Sequence, residues 1–239
     1  MIQGNQLKQL VGEEAVNYIE DGMKVGLGSG TTMYYAVKAL GERVKQGLNI
    51  VGIPTSNQTA EWAKEFGVPL TDFQEVQELD LAIDGADEVD RNLQLIKGGG
   101  GALLREKVVA NAAKEFLVIV DDSKLVDYLG EFRLPVEVVP FGWEVTANNI
   151  SQFGCIPVLR KVNEEIFVTD NGNYILDCNF EQILEPGKLH NELISLVGVV
   201  ETGLFIEMTG KVLVGKDGRI EVLEGNMRKG TLVDPRAKV

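Results

Sequence analysis

Apolar residues at Leu7, Leu10, Val11, Ala15, Val16 and Ile19 recur at helical spacing and predict a first helix over residues 5–20, which Asp21-Gly22 ends. A short apolar strand at 24–27 follows, then a Gly/Ser/Thr loop and a helix over 33–45. The same alternation continues with a strand at 49–53, a helix at 58–66, a strand at 79–83, a helix at 102–114 and a strand at 116–120. Two of these strands are continuous apolar runs, the pattern of strands buried on both faces. Alternating strands and helices predict an α/β fold with a parallel sheet covered by helices.

From about Gly130 the rhythm changes. Leu134-Pro135 leads into an apolar segment, residues 143–153 read as a helix, and 156–159 read as a strand. Residues 167–177 read as a hairpin turning at Asn171-Gly172, followed by a helix at 189–196 and a strand at 199–201. Short strands and helices without strict alternation suggest a smaller α+β domain, inserted near the C-terminal half over residues 131–204. Residues 212–224 then read as a second hairpin, turning at Asp217-Gly218, expected to rejoin the first sheet. The larger domain therefore comprises residues 1–130 and 205–239. Residues 225–239 carry no periodicity and are expected to be loose.

Charge and composition then remove whole classes of function. With 36 acidic against 23 basic residues the net charge is −13, a poor match for nucleic acid or an anionic membrane surface. No signal peptide and no membrane-length apolar run is apparent, and two cysteines (Cys155 and Cys178) form no disulfide framework, so a soluble cytoplasmic protein is expected. The single histidine, His190, excludes His-pair chemistry and is expected to be structural or exposed. Acid–base work must fall to carboxylates or lysines.

Three glycine-rich segments follow strands, where open α/β sheets bind ligands. In the first, Gly28, Ser29, Gly30, Thr31 and Thr32 join a strand to a helix, so tight backbone, hydroxyls and free helix N–H groups suit a phosphate. Thr31 replaces the last glycine of a dinucleotide fingerprint, and no acidic residue ends the second strand, which favours a small phosphate compound. In the second, Asp84, Gly85, Ala86 and Asp87 bring two carboxylates together, with Glu88 and Asp90 nearby; close carboxylates push their pKa values apart. A solvated turn or a divalent-cation loop would have the same local sequence. In the third, Lys97 precedes Gly98, Gly99, Gly100 and Gly101, a run so costly in entropy that something must require close backbone approach. Glu106 lies one helical turn beyond it, able to point back over the loop. Lys8 and Lys124 are candidate phosphate cations.

Together, GSGTT, DGADEVD and KGGGGALLREK, with LKQLVGEEAV, VDDSKLVDYLG, FRLPVEVVP and TDNGNYILD, resemble the A-type ribose-5-phosphate isomerases over nearly the whole chain. The resemblance implies a Rossmann-like sheet with an α+β lid domain. It implies a cofactor-free, metal-free aldose–ketose isomerase acting on a small sugar phosphate, and a homo-oligomer, dimer or tetramer. Carried onto this chain, it puts the phosphate on Ser29, Gly30, Thr31 and Thr32 with Lys8 and Lys124 in support. Asp84, Gly85, Ala86 and Asp87 match its substrate loop, Lys97, Gly98, Gly99 and Gly100 its glycine run, and Glu106 its catalytic base. The family loop usually reads TGST where this chain has SGTT, a swap that keeps the hydroxyls. The implied chemistry moves a proton from C2 to C1 through a cis-enediolate. Asp84 and Asp87 assist ring opening and hydroxyl proton transfer, and Lys97 stabilises the oxyanion. A sugar-phosphate sensor domain of a transcription regulator would need a DNA-binding helix and a basic face, and this acidic chain has neither room for the one nor sign of the other.

Overall fold

The computed structural model describes residues 4–224. Helix α1 (Gly4–Ala15) leads to strand β1 (Lys24–Leu27), helix α2 (Thr31–Lys45), β2 (Val51–Pro54) and α3 (Asn57–Phe66). Next come β3 (Leu79–Asp84), the two-residue strands β4 (Glu88–Val89) and β5 (Leu95–Ile96), α4 (Leu103–Asn111) and β6 (Ala113–Asp121). Strand β7 (Leu134–Val138), α5 (Trp143–Ser151), β8 (Ile156–Leu159), β9 (Lys161–Val162), β10 (Glu165–Ile166) and β11 (Tyr174–Asn179) follow. The described chain ends with α6 (Pro186–Ile194), β12 (Val199–Thr202), β13 (Leu204–Phe205), β14 (Lys211–Lys216) and β15 (Arg219–Glu224).

The main sheet has the order β15-β14-β6-β3-β1-β2, parallel throughout except for the antiparallel edge strand β15. Successive residues of a strand face opposite sides, and the core divides accordingly. Leu81, Ile83, Leu117 and Ile119 pack with Val11, Val37 and Leu40 on the side covered by α1, α2 and α3. Ala82, Val118 and Val120 pack with Val109, Leu95 and Phe205 on the other. The α/β expectation holds: a mostly parallel sheet lies between helices.

A four-stranded antiparallel sheet, β12-β7-β11-β8, draws its strands from residues 134–202 and has its own core around Val136, Ile150, Leu176 and Leu193. The hairpin at Asp217-Gly218 forms as expected and returns to the main sheet through β14. Residues 167–177 behave differently. The turn forms, with Thr169 N–H donating to Asn173 O at 2.9 Å. The ladder partners of β11 are nevertheless β7 and β8, because a half-buried strand gains more from two neighbours than from one exposed hairpin arm. The helix expected over 102–114 also stops early, at Asn111, since Ala113 already pairs with Leu79 in the sheet. Residues 225–239, expected to be loose, lie outside the described residues.

Candidate active site

Strand β1 continues to β2 on one side, whereas its other neighbour, β3, continues away from it toward β6, so the onward connections of β1 and β3 run in opposite directions. At such a switch point the loops beyond the carboxyl ends part and leave a crevice. The Gly28–Thr32 segment opens there from β1 and the Asp84–Asp87 segment from β3. Thr31 and Thr32 are the first residues of α2 rather than loop, so the free N–H groups of that helix face the crevice with them. From α1, Lys8 Nζ reaches the Thr31 hydroxyl at 2.9 Å. Lys124 enters from a short 3₁₀ turn after β6, capped by the Asp121 carboxylate on Ser123 N–H.

Gly28 explains how the first two loops meet. A Cβ there would overlap the Asp84 carboxylate. Without one, Asp84 Oδ1 accepts from Ser29 N–H at 3.0 Å and Gly85 N–H at 2.7 Å, joining the ends of β1 and β3. Its other oxygen, Oδ2, lies 3.1 Å from Lys97 Nζ. The same ammonium donates to Gly85 O at 2.6 Å and lies 3.3 Å from Glu106 Oε2.

All three charged groups are nearly inaccessible: Asp84, Lys97 and Glu106 are 2%, 3% and 5% exposed. Burial disfavours charge, so the Glu106 carboxyl is pushed up to about 8, first by loss of water and then by the negative charge of Asp84, with Lys97 opposing. Burial likewise raises Asp84 against the pull of Lys97. Lys97 goes the other way from most buried lysines. Burial alone would lower it, but Asp84, Glu106 and Asp87 together hold it above the ordinary lysine value. The result is one ammonium shared by two carboxyls, and Glu106 Oε2 accepts no hydrogen bond within the chain.

One cleft gathers Lys8, Ser29, Gly30, Thr31, Thr32, Gly85, Ala86, Asp87, Lys97, Gly98, Gly99, Gly100, Glu106 and Lys124. Of the residues that the family resemblance assigned to the site, Asp84 is the one that does not line the cleft; it lies against Lys97 instead. Ser29 lines the cleft, but its N–H is spent on Asp84. Its hydroxyl bonds Thr55 at 2.7 Å and Ser56 at 2.8 Å, in a cluster that Thr59 completes. Gly30, Thr31, Thr32 and the two lysines are the remaining candidate donors at this end of the cleft. Asp87 Oδ2 accepts from Gly99 N–H at 2.7 Å, tying the second loop to the third.

The acidic run resolves into separate duties. Glu88 accepts from Gly130 and Phe132 N–H, and Asp90 from Asn92 and Gln94 N–H. Among the described residues no three His, Cys, Asp or Glu side chains are grouped to hold a metal ion. His190 bonds Thr202 at 2.8 Å, and both cysteines are buried, all apart from the cleft.

Residues the sequence reading passed over brace the site from outside. Arg105, next to Glu106, donates to Asp170 O at 2.8 Å and Asn171 Oδ1 at 2.9 Å. The Asp170 carboxylate takes Asn57 N–H at 2.8 Å, at the start of α3. Buried Glu137 accepts from Thr169, Asn171 and Asn173 and so shapes the turn. The segment TDNGN carried a turn signal in sequence, but nothing there indicated which helices the turn would touch.

Residues 51–219 match the family model described as ribose 5-phosphate isomerase A (phosphoriboisomerase A). Ribose-5-phosphate isomerase A 1 of Oceanobacillus iheyensis is 60% identical over 223 residues, spanning 93% of this chain and 100% of that protein. Ribose-5-phosphate isomerase A of Bacillus mycoides is 50% identical over 216 residues, 90% of this chain and 98% of that one. Among solved structures, ribose 5-phosphate isomerase A from Methanocaldococcus jannaschii superposes with a TM-score of 0.89 at 41% identity, covering 93% of this chain and 100% of that one. A D-ribose-5-phosphate isomerase in complex with phospho-erythronic acid superposes with a TM-score of 0.90 at 41% identity and the same coverage.

Proposed function

The chain belongs to the ribose 5-phosphate isomerase A family, a family of aldose–ketose isomerases, and on that premise we propose that it interconverts D-ribose 5-phosphate and D-ribulose 5-phosphate with Glu106 as the base. One observation carries the assignment of roles: a buried carboxyl with its pKa raised toward neutrality, Oε2 without a hydrogen bond, 3.3 Å from a buried ammonium in the cleft. A base poised near the working pH is what general acid–base catalysis needs, and such a step contributes about 10²–10⁴-fold.

The phosphate sits on the α2 N-terminus, with Gly30, Thr31, Thr32, Lys8 and Lys124 as donors. That anchorage fixes the far end of the sugar and holds C1 and C2 near Glu106. Glu106 takes the C2 proton and returns it to C1, through a cis-enediolate. Lys97 neutralises the oxygen on which negative charge grows, and Asp87, on the wall, handles the hydroxyl protons and ring opening. Asp84 shares that proton work only through Lys97, since its own oxygens are committed to Ser29, Gly85 and Lys97. A phosphorylated acid bound by a relative fits this reading, because a carboxylate is planar and anionic as an enediolate is. The sheet of residues 134–202 serves as a lid over the site.

A coupled assay with ribose 5-phosphate tests the reading. Turnover by the wild-type chain that is lost in Glu106→Gln supports it; a wild-type chain inactive on ribose 5-phosphate removes it.

A further inference from the structure

Gly98, Gly99 and Gly100 have no side chains to hold their peptides in one orientation, yet two of these peptides are held from the small sheet. Arg160, at the end of β8, donates through Nη1 to Gly98 O at 2.8 Å and Gly99 O at 3.1 Å. The guanidinium is itself gripped by Asp177 of β11, at 2.9 Å from Nε and 2.5 Å from Nη2. It lies against the Phe167 ring, which also packs on Gly101. Arg160 is mostly buried, with 11% of its side chain exposed.

A trans peptide points its C=O and N–H in opposite directions. Holding Gly98 O and Gly99 O on one side therefore turns the N–H groups of Gly99 and Gly100 to the other. Gly99 N–H is found there, on Asp87 Oδ2 at 2.7 Å. Gly100 belongs to the cleft wall beside Lys97 and Glu106.

We propose that Arg160 is a positioning residue for the reaction: clamped by Asp177, it sets the direction of the Gly99 and Gly100 amides, so that Gly100 N–H serves as an oxyanion donor and Asp87 is held for proton transfer. This rests on the isomerase reading of the cleft. The fork of a guanidinium is needed, because it must meet two carbonyls and a carboxylate at once; a lysine offers only a point charge.

The test uses Arg160→Ala, with Arg160→Lys as the variant that keeps charge and most of the packing. Displacement of a reacting group by about 1 Å costs about 10²-fold, and that loss in kcat is expected for Arg160→Ala, with about tenfold for Arg160→Lys. Affinity for inorganic phosphate, measured by calorimetry, is expected to be unchanged, since the α2 N-terminus is untouched. Added guanidinium ion should restore part of the kcat of Arg160→Ala. Amide hydrogen exchange at Gly99 should accelerate while the β3 and β6 amides keep their protection. That last readout is independent of substrate, so it separates failure of this inference from failure of the isomerase reading. Unchanged Gly99 exchange in both variants, wild-type kcat in either, or an equal loss of phosphate affinity overturns the proposal.

Discussion

Glu106 Oε2 lies 3.3 Å from the Lys97 ammonium and accepts no hydrogen bond. Lys97 opposes the burial that raises this carboxyl, and the oxygen is otherwise open on the cleft side. Replacing Glu106 with Gln keeps the volume and removes the proposed base. Glu106→Gln should lower kcat by about 10²–10⁴-fold while leaving phosphate binding intact. Steady-state kinetics with a phosphate-binding measurement check this, and substantial residual kcat would remove Glu106 from its role.

The same carboxyl sets a pH dependence. With its pKa raised to about 8 in the folded chain, the basic form accumulates as pH rises, so kcat/KM should climb on the acid side toward that value. Asp84 titrates with it, so the apparent value belongs to the pair. Lys97 lowers the Glu106 pKa, and Lys97→Met should move the ascending limb to higher pH in a kcat/KM profile.

Stability should run the opposite way. The folded chain holds the Glu106 proton more tightly than the unfolded chain, whose glutamate pKa is about 4.3. The contribution is full below that value and is lost as pH rises toward about 8. Urea midpoints for wild type and Glu106→Gln across this range should converge at low pH and separate at high pH, with the variant ahead.

Gly101 holds a φ of +86°, and a Cβ there would strike the Phe167 ring. Gly101→Ala should therefore cost about 1–3 kcal/mol, read from denaturant unfolding. It should also lower kcat, because Phe167 supports Arg160. An alanine accepted with neither loss would show that the ring gives way freely.

Lys8 lines the cleft and donates to the Thr31 hydroxyl at 2.9 Å. Losing the charge-assisted hydrogen bond to phosphate proposed for Lys8 should raise KM about tenfold in Lys8→Met, with kcat little changed. A matching fall in kcat would mean that Lys8 acts on the reacting carbons as well.

The acidic DGADEVD loop raised a metal-dependent alternative, and the structure directs its carboxylates elsewhere: Glu88 and Asp90 to backbone amides, Asp84 to Lys97. Turnover in excess chelator should equal turnover without it.

Much of this was legible in the chain. Continuous apolar strands alternating with amphipathic helices indicate a covered parallel sheet, because only that arrangement buries both faces of such strands. Glycine clusters after strands marked the crevice for the same local reason: a turn that must approach a ligand or another loop cannot carry a Cβ. Gly28 against Asp84 is the clearest instance.

Other features depend on partners far away in sequence. Spacing alone placed Asp84 with Asp87 as equals. Only the fold sends Asp84 against Lys97 and leaves Asp87 on the wall, since the Ser29 and Gly85 amides hold the first carboxylate and the Gly99 amide holds the second. Ser29 carries a hydroxyl suited to phosphate, yet Thr55 and Ser56, brought alongside by β2, engage it first. The bracing by Arg160 and Asp170 crosses 61 and 113 positions of chain to Gly99 and Asn57. Local pattern determined the elements, the sheet and the chemical classes gathered at its carboxyl edge. Which carboxyl is buried, which faces the cleft and what holds the glycine run still was decided only by tertiary packing, because burial and long-range hydrogen bonds exist only once the two sheets have met.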